Sequence, residues 1–297
     1  MRIFITGVAG FLGSALAEHF RLRGHNVRGS SHDEAKLAGL GDVLEYGTRI
    51  GFDGQAPLAA FEGCDTVVHC AYDSSAGAME NNYEGTKAIF EIAARAGVSH
   101  QVFISSHSAR QDAVSLYGKL KYRLETFFLD RDQTVVRPGL IVGPGGLYAR
   151  NRISLMYFPL IILPAADSAS VYFVSLSNLL TAMTSIIEGV LAGAFNLFHD
   201  PPVTLRGFVS AVSALSGRRV VVLSVPAKPI FIAVGLLQQL FNPIPQSLAR
   251  IETLRRNLYC PVHQSNLKEF VSDPMGLDVS IKAASGHVNE NETVCFL

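Results

Sequence analysis

The sequence predicts an α/β fold in which a doubly wound parallel sheet carries helices on both faces. Short apolar segments such as Met1–Ile5 and Asp65–His69 alternate with amphipathic helical segments along the first half of the chain. Strands that alternate with helices in this way form parallel sheets with right-handed crossovers. The chain has 297 residues, of which 48% are apolar and 17% charged, so it can bury a large core.

The individual elements follow from apolar periodicity and from the glycines that end them. The first predicted helix begins at Ser14, and a long amphipathic helix over residues 82–97 is stopped by Gly97. Two further helices are predicted over residues 57–63 and 117–129. The predicted strands cover residues 1–5, 26–30, 44–46, 65–70, 101–105 and 134–137.

The pattern weakens in the second half of the chain. A strand that runs into a helix is predicted over residues 171–191, a strand over 194–197, and a helix that starts within 203–209 and ends at Gly217. We therefore divide the chain into a sheet domain, residues 1–143, and a smaller lobe, residues 144–297. This lobe is expected to cap the sheet domain and to select the substrate, and part of it is expected to return to the sheet.

Charge and cysteine content exclude several classes of protein. The formal net charge is zero and no basic block occurs, so nucleic-acid binding has little electrostatic support. The four cysteines, Cys64, Cys70, Cys260 and Cys295, lack the spacing of a metal site, which predicts free thiols in a reducing compartment. Because the first strand begins at Met1, we expect no signal peptide and a cytoplasmic protein.

Two apolar stretches were compared with the length of a membrane span. Residues 153–163 contain Pro159, and residues 229–237 end at Gln238 and Gln239. A spanning helix needs about 20 apolar residues, so neither stretch qualifies. We interpret them as core, as a subunit interface of a homodimer, or as an apolar wall of the substrate site, with shallow membrane contact as the remaining alternative.

The most informative feature is the glycine triplet Gly7, Gly10 and Gly13 between the first strand and the first helix. Gly7 permits a tight turn, Gly10 allows the backbone to approach a pyrophosphate, and Gly13 lets the helix pack close to the sheet. The amides around Gly10, Phe11 and Leu12 then point at the phosphates. This placement predicts a Rossmann-type dinucleotide-binding domain, although the spacing is GxxGxxG rather than GxGxxG.

A second feature predicts the chemistry. Tyr117 and Lys121 lie four residues apart on a predicted helix and so face the same way. A tyrosine phenol has a pKa of about 10, and a nearby ammonium favours its phenolate. Ser106, which follows the predicted strand 101–105, is the candidate that holds the substrate oxygen. Ser105 and His107 are the competing candidates.

These features resemble, in this order along the chain, the extended short-chain dehydrogenase/reductase superfamily, and within it the NAD-dependent epimerase/dehydratase family. Three further segments carry the resemblance: residues 65–71 are similar to a DxVxHxA strand, residues 82–86 to an NxxGT helix start, and residues 137–144 to an RPxxxxGP segment. The resemblance implies that Ala71 and Pro138 lie beside the nicotinamide, and that Lys121 binds the nicotinamide ribose.

The chain departs from the family pattern in three places. The loop between Ser106 and Tyr117 is shorter than in typical nucleotide-sugar epimerases. The second strand lacks the acidic residue that binds the adenosine ribose of NAD, and Ser31 occupies that place, which favours NADP over NAD. The third strand ends in Gly47-Thr48 instead of the family's Gly-Asp.

Together these observations predict an NAD(P)-dependent oxidoreductase or isomerase of the epimerase/dehydratase type, with a nucleotide sugar as substrate and Tyr117 as acid or base. Residues 106–108 contain no acidic or threonine side chain, which argues against dehydration. One alternative is a reductase of an apolar steroid, polyketide or lipid-linked carbonyl. The other is a non-catalytic NADP-binding sensor or assembly factor.

Overall fold

A seven-stranded, entirely parallel sheet forms the centre of the fold and confirms the predicted class. The computed structural model describes residues 1–75, 77–113, 115–149, 160–215, 220–230, 232–233 and 264–285. The strands of this sheet are β1 (Arg2–Thr6), β2 (Asn26–Ser31), β3 (Tyr46–Arg49), β4 (Thr66–His69), β5 (His100–Ile104), β6 (Thr134–Pro138) and β11 (Gly193–Leu197).

The strand order is β11-β6-β5-β4-β1-β2-β3. The chain runs outward from β1 through β2 to β3, and then returns to the other side of β1 with β4. The direction of winding therefore reverses between β1 and β4. In open α/β sheets, ligands bind at such a reversal, outside the carboxyl ends of the strands.

Among the described residues, five helices accompany the sheet: α1 (Phe11–Leu22), α2 (Glu34–Ala38), α3 (Met79–Arg95), α4 (Leu116–Leu129) and α5 (Leu176–Glu188). The core beneath α3 contains Phe4 and Val67 of the sheet together with Ile89 and Ala93 of the helix. A neighbouring cluster joins α4 to β5 and β6 and is dominated by aromatic rings: Phe90, Phe103, Phe127 and Phe128. The apolar residues that recur at helical spacing therefore form the helix faces that pack against the sheet.

The boundaries differ from the sequence-based prediction at the β3 edge. The prediction placed the third strand at residues 44–46, whereas β3 spans Tyr46–Arg49 and pairs with Arg28 to Ser31 of β2. The preceding residues form a 3-10 turn at Gly41–Val43 instead. Helix α2 was not predicted, although Asp33 caps it by accepting a hydrogen bond from the Lys36 amide at 3.1 Å.

The chain divides into two compact units. The first contains residues 1–138, 179–197 and 263–272, including the short helix α7 (Leu267–Phe270). The strand β11, which was predicted at residues 194–197, pairs with β6 over its whole length in this unit. Asn266 ties the same region together, because its Oδ1 accepts a hydrogen bond from the Asn196 amide at 2.9 Å.

The second unit contains residues 139–178, 198–262 and 273–297. In the part of this unit that the structure describes, the strands form three two-stranded ladders: β7 (Leu140–Val142) with β10 (Phe173–Ser175), β8 (Leu160–Pro164) with β13 (Val221–Val225), and β9 (Ser170–Val171) with β12 (Val203–Thr204). Two helices, α6 (Leu205–Leu215) and α8 (Leu277–Ser285), contribute Phe208 and Ile281 to its main core cluster.

Several sequence predictions fall on residues outside the described ranges: Gly217, Cys260, Cys295, the start of the stretch 153–163 and most of the stretch 229–237. Over the described part of the chain, none of the helices has the length and apolar character needed to cross a membrane. The same residues include no group of three or more His, Cys, Asp or Glu side chains that could hold a metal ion.

Candidate active site

The glycine loop between β1 and α1 is built by close backbone approaches. Gly7 has a φ of 65°, a conformation that side-chain-bearing residues rarely adopt, and a Cβ there would lie 2.8 Å from the Ala71 Cα. A Cβ on Gly13 would lie 2.3 Å from the Gly7 carbonyl oxygen. The turn is closed by a hydrogen bond from the Gly10 amide to the Gly7 carbonyl at 2.9 Å.

The N-terminus of α1 is open toward this loop. Gly10 is its N-cap, and no side chain caps the first turn. Gly10 is exposed, while Phe11 and Leu12 are half-buried. Uncapped amides and the positive end of the helix dipole form an anion site, and the glycine backbone leaves room for a phosphate. The loop therefore fits the pyrophosphate of a dinucleotide.

Thr6, the last residue of β1, organises the end of β4. Its hydroxyl oxygen accepts hydrogen bonds from the amides of Cys70 and Ala71, both at 3.1 Å. Asn82 of α3 holds the next part of the same loop, because its Oδ1 accepts from the Asp73 amide and its Nδ2 donates to the Asp73 carbonyl, each at 2.8 Å. Ala71 is thereby fixed next to Gly7.

The end of β2 carries a mixed set of charges. Ser31 is buried, and its hydroxyl oxygen accepts a hydrogen bond from the Asp33 amide at 3.1 Å. His32 is exposed and packs against the Phe52 ring with the centroids 4.8 Å apart. The exposed Arg49 at the end of β3 donates a hydrogen bond to the His32 carbonyl at 3.4 Å. Asp33, which follows Ser31 closely, has its carboxylate occupied as the cap of α2.

The structure brings the three predicted catalytic residues together. Tyr117 and Lys121 lie on one face of α4, and Ser106 follows the end of β5. The side chains of Ser106 and Tyr117 are hydrogen-bonded, and this bond lowers the pKa of Tyr117, while burial, the larger effect, raises it above its usual value. Lys121 is buried and donates a hydrogen bond to the Ile104 carbonyl at 2.7 Å.

The competing candidate Ser105 has a different environment. It is buried, and its hydroxyl donates a hydrogen bond to the Glu125 carboxylate at 2.5 Å. Ser106 is only half-buried, and besides its contact with Tyr117 its oxygen accepts from the Ser108 amide at 3.1 Å. The arrangement therefore favours Ser106 over Ser105 as the hydroxyl that a substrate meets.

Aromatic rings surround the Lys121 ammonium. Its nitrogen lies 4.6 Å from the centroid of Phe103, 5.4 Å from that of Tyr72 and 5.8 Å from that of Tyr117. Burial lowers the pKa of Lys121 to about 8, and the electrostatic interactions with Cys70 and Glu125 oppose this shift. Because this pKa lies close to neutral pH, a charge brought next to Lys121 strongly changes the fraction of the side chain that is protonated.

Tyr72 is a second phenol at the site. Its ring meets that of Tyr117 edge-on with centroids 5.2 Å apart. Burial raises the pKa of Tyr72 to about 12, and the neighbouring Tyr117 adds to the shift. Tyr72 therefore remains neutral near pH 7 and adds no charge next to Tyr117.

Pro138 ends β6 at the same edge of the sheet. It is buried, and its carbonyl accepts a hydrogen bond from the His107 amide at 3.1 Å. The site residues thus follow the carboxyl ends of β1, β2, β4, β5 and β6, and all of them belong to the first unit.

Sequence reasoning did not identify Thr6, Tyr72 or Glu125. Thr6 and Glu125 act through residues that are distant in the sequence, so no local pattern reveals them. A signal did exist for Glu125, because it continues the helix face of Tyr117 and Lys121 by one more turn. The DxVxHxA pattern ends at Ala71, so it says nothing about Tyr72, the residue that follows.

A parallel sheet with a glycine loop at its reversal point, and a serine, tyrosine and lysine at the same edge, defines the fold of the short-chain dehydrogenases/reductases. Residues 3–127 match the model of the NAD dependent epimerase/dehydratase family. The match contains the glycine loop, Ser106, Tyr117 and Lys121.

Individual proteins resemble the chain in sequence or in structure. Cinnamoyl-CoA reductase 1 of Oryza sativa subsp. japonica is 32% identical over 117 residues, which cover 36% of this chain and only 35% of the rice protein. A nucleoside-diphosphate-sugar epimerase of Staphylococcus aureus superposes with a TM-score of 0.71 at 17% identity, covering 95% of this chain and all (100%) of that one.

The triphenylmethane reductase of Citrobacter sp., solved with NADP(H), superposes with a TM-score of 0.67 at 17% identity, covering 96% of this chain and 100% of its own. At these identities the structural matches show the common fold.

Proposed function

We propose that this protein is an NAD(P)-dependent oxidoreductase of the epimerase/dehydratase type that acts at a carbinol or carbonyl carbon. The observation that carries the proposal is the hydrogen-bonded pair of Ser106 and Tyr117, one helical turn from the buried Lys121 ammonium. A hydroxyl, a phenol and an ammonium are the groups needed to hold a carbonyl oxygen and to move one proton to or from it.

The glycine loop and the ends of the strands supply the proposed cofactor site. Gly7, Gly10, Phe11, Leu12 and Gly13 hold the pyrophosphate, Ser31 the adenosine ribose, and Ala71 and Pro138 the nicotinamide side. When bound, the nicotinamide donates or accepts the hydride.

We propose NADP as the preferred form because Ser31 replaces an acidic residue and Arg49 lies nearby. Asp33 is the opposing charge, but it is engaged by Lys36, whose ammonium lies 3.6 Å from its carboxylate.

Each catalytic residue has a defined task in this proposal. Burial keeps the Tyr117 phenol protonated, so in the reducing direction it can donate its proton to the oxygen of the carbonyl that receives the hydride. In the oxidising direction the same phenol must first ionise, and the positive charges of Lys121 and of an oxidised nicotinamide favour this. Ser106 hydrogen-bonds the substrate oxygen in both directions.

The proposed substrate is a nucleotide sugar. The structural neighbour from S. aureus carries the name of a nucleoside-diphosphate-sugar epimerase, which supports this class. A second candidate is an apolar carbonyl compound, because the rice relative carries the name of a cinnamoyl-CoA reductase. In the first case a keto intermediate stays bound and is reduced again, while in the second a free alcohol or aldehyde is released.

A substrate panel separates these candidates. The protein is incubated with UDP-sugars and NAD or NADP, and separately with cinnamoyl-CoA or steroid ketones and NADPH. Epimerised sugar detected by chromatography supports the first candidate, and NADPH consumption supports the second. The Tyr117→Phe variant must lose either activity. Tight NADPH binding with no turnover of any carbonyl or alcohol would overturn the enzyme proposal in favour of a sensor or assembly factor.

The proposal also includes a cytoplasmic homodimer. Cys64 and Cys70 are free thiols in the structure, as expected in a reducing compartment. Light scattering tests the dimer, and a monomeric mass across the micromolar range would contradict it.

A further inference from the structure

The side chain of Glu125 lies beneath the proposed catalytic residues and is engaged on both of its oxygens. Oε1 accepts hydrogen bonds from the Ser105 hydroxyl at 2.5 Å and from Arg137 Nε at 2.9 Å. Oε2 accepts from Arg137 Nη2 at 2.7 Å. The carboxylate is buried, with 1% of the side chain exposed, while Arg137 is 17% exposed. Glu125 thus joins α4 to the ends of β5 and β6.

Three residues of α4 contact three consecutive residues at the end of β5. Lys121 donates to the Ile104 carbonyl, Glu125 accepts from the Ser105 hydroxyl, and Tyr117 is hydrogen-bonded to Ser106. Tyr117, Lys121 and Glu125 follow one another at intervals of four residues, so they share one helix face. Any shift of this face relative to β5 would change all three contacts together.

We propose that Glu125 is a positioning residue for the proposed site: it holds the end of β5, which carries Ser106, against the helix face of Tyr117 and Lys121, and it sets the electrostatic environment of the Lys121 ammonium. This inference rests on the proposed function, in which Lys121 binds the nicotinamide ribose. It adds a residue that neither the resemblance nor the sequence pattern had assigned.

The charges around Lys121 make this role measurable. The titratable groups that face its ammonium are the Cys70 thiol and the Tyr72 phenol from the end of β4, and Tyr117 and Glu125 on α4. Burial raises the pKa of the Cys70 thiol and of the Tyr72 phenol to about 12 each, so both are neutral between pH 6 and pH 9.

Glu125 is therefore the carboxylate that stabilises the charged form of Lys121. Arg137 is the cation that pairs with this carboxylate and so weakens its effect on Lys121. Loss of the Glu125 charge would lower the pKa of Lys121, whereas loss of the Arg137 charge would raise it. A side chain that merely filled space in the core would produce neither effect.

The experiment measures NADPH affinity by fluorescence as a function of pH, from pH 6 to pH 10. In the unaltered protein, affinity should fall as Lys121 loses its proton near pH 8, and Lys121→Met should remove this transition. In Glu125→Gln the midpoint should move to lower pH by about half a unit or more. In Arg137→Gln, which leaves the Glu125 charge uncompensated, it should move to higher pH.

Two variants with opposite shifts separate positioning from general destabilisation, because damage to the fold would weaken binding at every pH in both. Glu91→Gln is the matched control: Glu91 lies on α3, has 57% of its side chain exposed, and faces Arg131 at 3.9 Å. It should leave the midpoint unchanged. Circular dichroism establishes that each variant is folded.

The outcomes are distinguishable. A transition that is present in the unaltered protein, absent in Lys121→Met and unmoved in both Glu125→Gln and Arg137→Gln would overturn the role of Glu125 alone. If Glu125→Gln does not fold, an unmoved midpoint in Arg137→Gln has the same consequence. A flat profile in the unaltered protein would instead contradict the placement of Lys121 at the cofactor, and the role of Glu125 with it.

Discussion

Replacement of Gly10 by valine should abolish cofactor binding while leaving the fold intact. The N-cap backbone at Gly10 has φ −82° and ψ 167°, which a valine also adopts. A Cβ there would meet the Gly7 carbonyl oxygen at 3.2 Å, a tight contact that costs about 1 kcal/mol, the low end of the range for overpacking. The loss of glycine flexibility in the unfolded chain offsets about 0.4–1 kcal/mol of this. The free energy of unfolding should therefore change by less than about 1 kcal/mol.

The effect on binding should be much larger. The branched side chain would occupy the space in which a pyrophosphate oxygen approaches the first amides of α1. Hydrogen bonds to charged groups contribute about 1.5–3 kcal/mol each. Loss of two of them corresponds to about 3–6 kcal/mol, or a weakening of about 10²–10⁴-fold in the dissociation constant.

Fluorescence titration with NADPH measures the binding, and urea denaturation measures the stability. Gly41→Val serves as a control, because a Cβ at Gly41 would meet nothing within 4 Å. Gly13→Ala gives the opposite contrast: its Cβ would lie 2.3 Å from a backbone oxygen, so both stability and binding should fall. A Gly10→Val protein that is folded and binds NADPH as tightly as the unaltered protein would refute the placement of the pyrophosphate.

Three further variants test other parts of the reasoning. Tyr117→Phe should reduce turnover by about 10²–10⁴-fold with little change in melting temperature, and full activity on an identified substrate would rule out the acid–base role. Ser31→Glu should weaken NADPH more than NADH, as measured by the ratio of their dissociation constants, since a carboxylate repels the 2′-phosphate; an unchanged ratio would place the ribose elsewhere. Burial lowers the pKa of His69 in the folded protein to about 4, so the unfolded chain binds a proton first as the pH falls, and the free energy of unfolding should decrease from about pH 6.5 downward. His69→Gln should flatten this dependence in urea titrations, and an equally steep curve would assign it to other groups.

The centre of the sheet could be predicted from sequence because its signals are local. Strands such as Arg2–Thr6 contain short apolar runs, and α1 follows directly from the glycine loop. The β3 edge could not be predicted as well. Three of the four residues of Tyr46–Arg49 are exposed, so β3 lacks the apolar alternation that marks a strand. Helix α2 has five residues and no buried side chain, so only its Asp33 cap could have revealed it.

The residues of the candidate site show the same difference between local signals and long-range packing. Tyr117 and Lys121 were predictable because four residues on a helix define one face. Thr6 was not, because its hydroxyl serves amides at the end of β4, and only the pairing of β1 with β4 brings them together. The contact between Ser105 and Glu125 likewise depends on how α4 packs against β5.

The strand β11 joins the sheet from a late part of the chain, which affects folding during synthesis. A ribosome has to release β11 (Gly193–Leu197) before β6 can gain its outer neighbour, so an emerging chain that ends near residue 143 has an open row of β6 amides and carbonyls. Such an edge pairs readily with other chains. A fragment cut at residue 143 should therefore aggregate although it contains the whole glycine loop, Ser106, Tyr117 and Lys121, and a useful shorter version of the protein has to keep the segment that supplies β11.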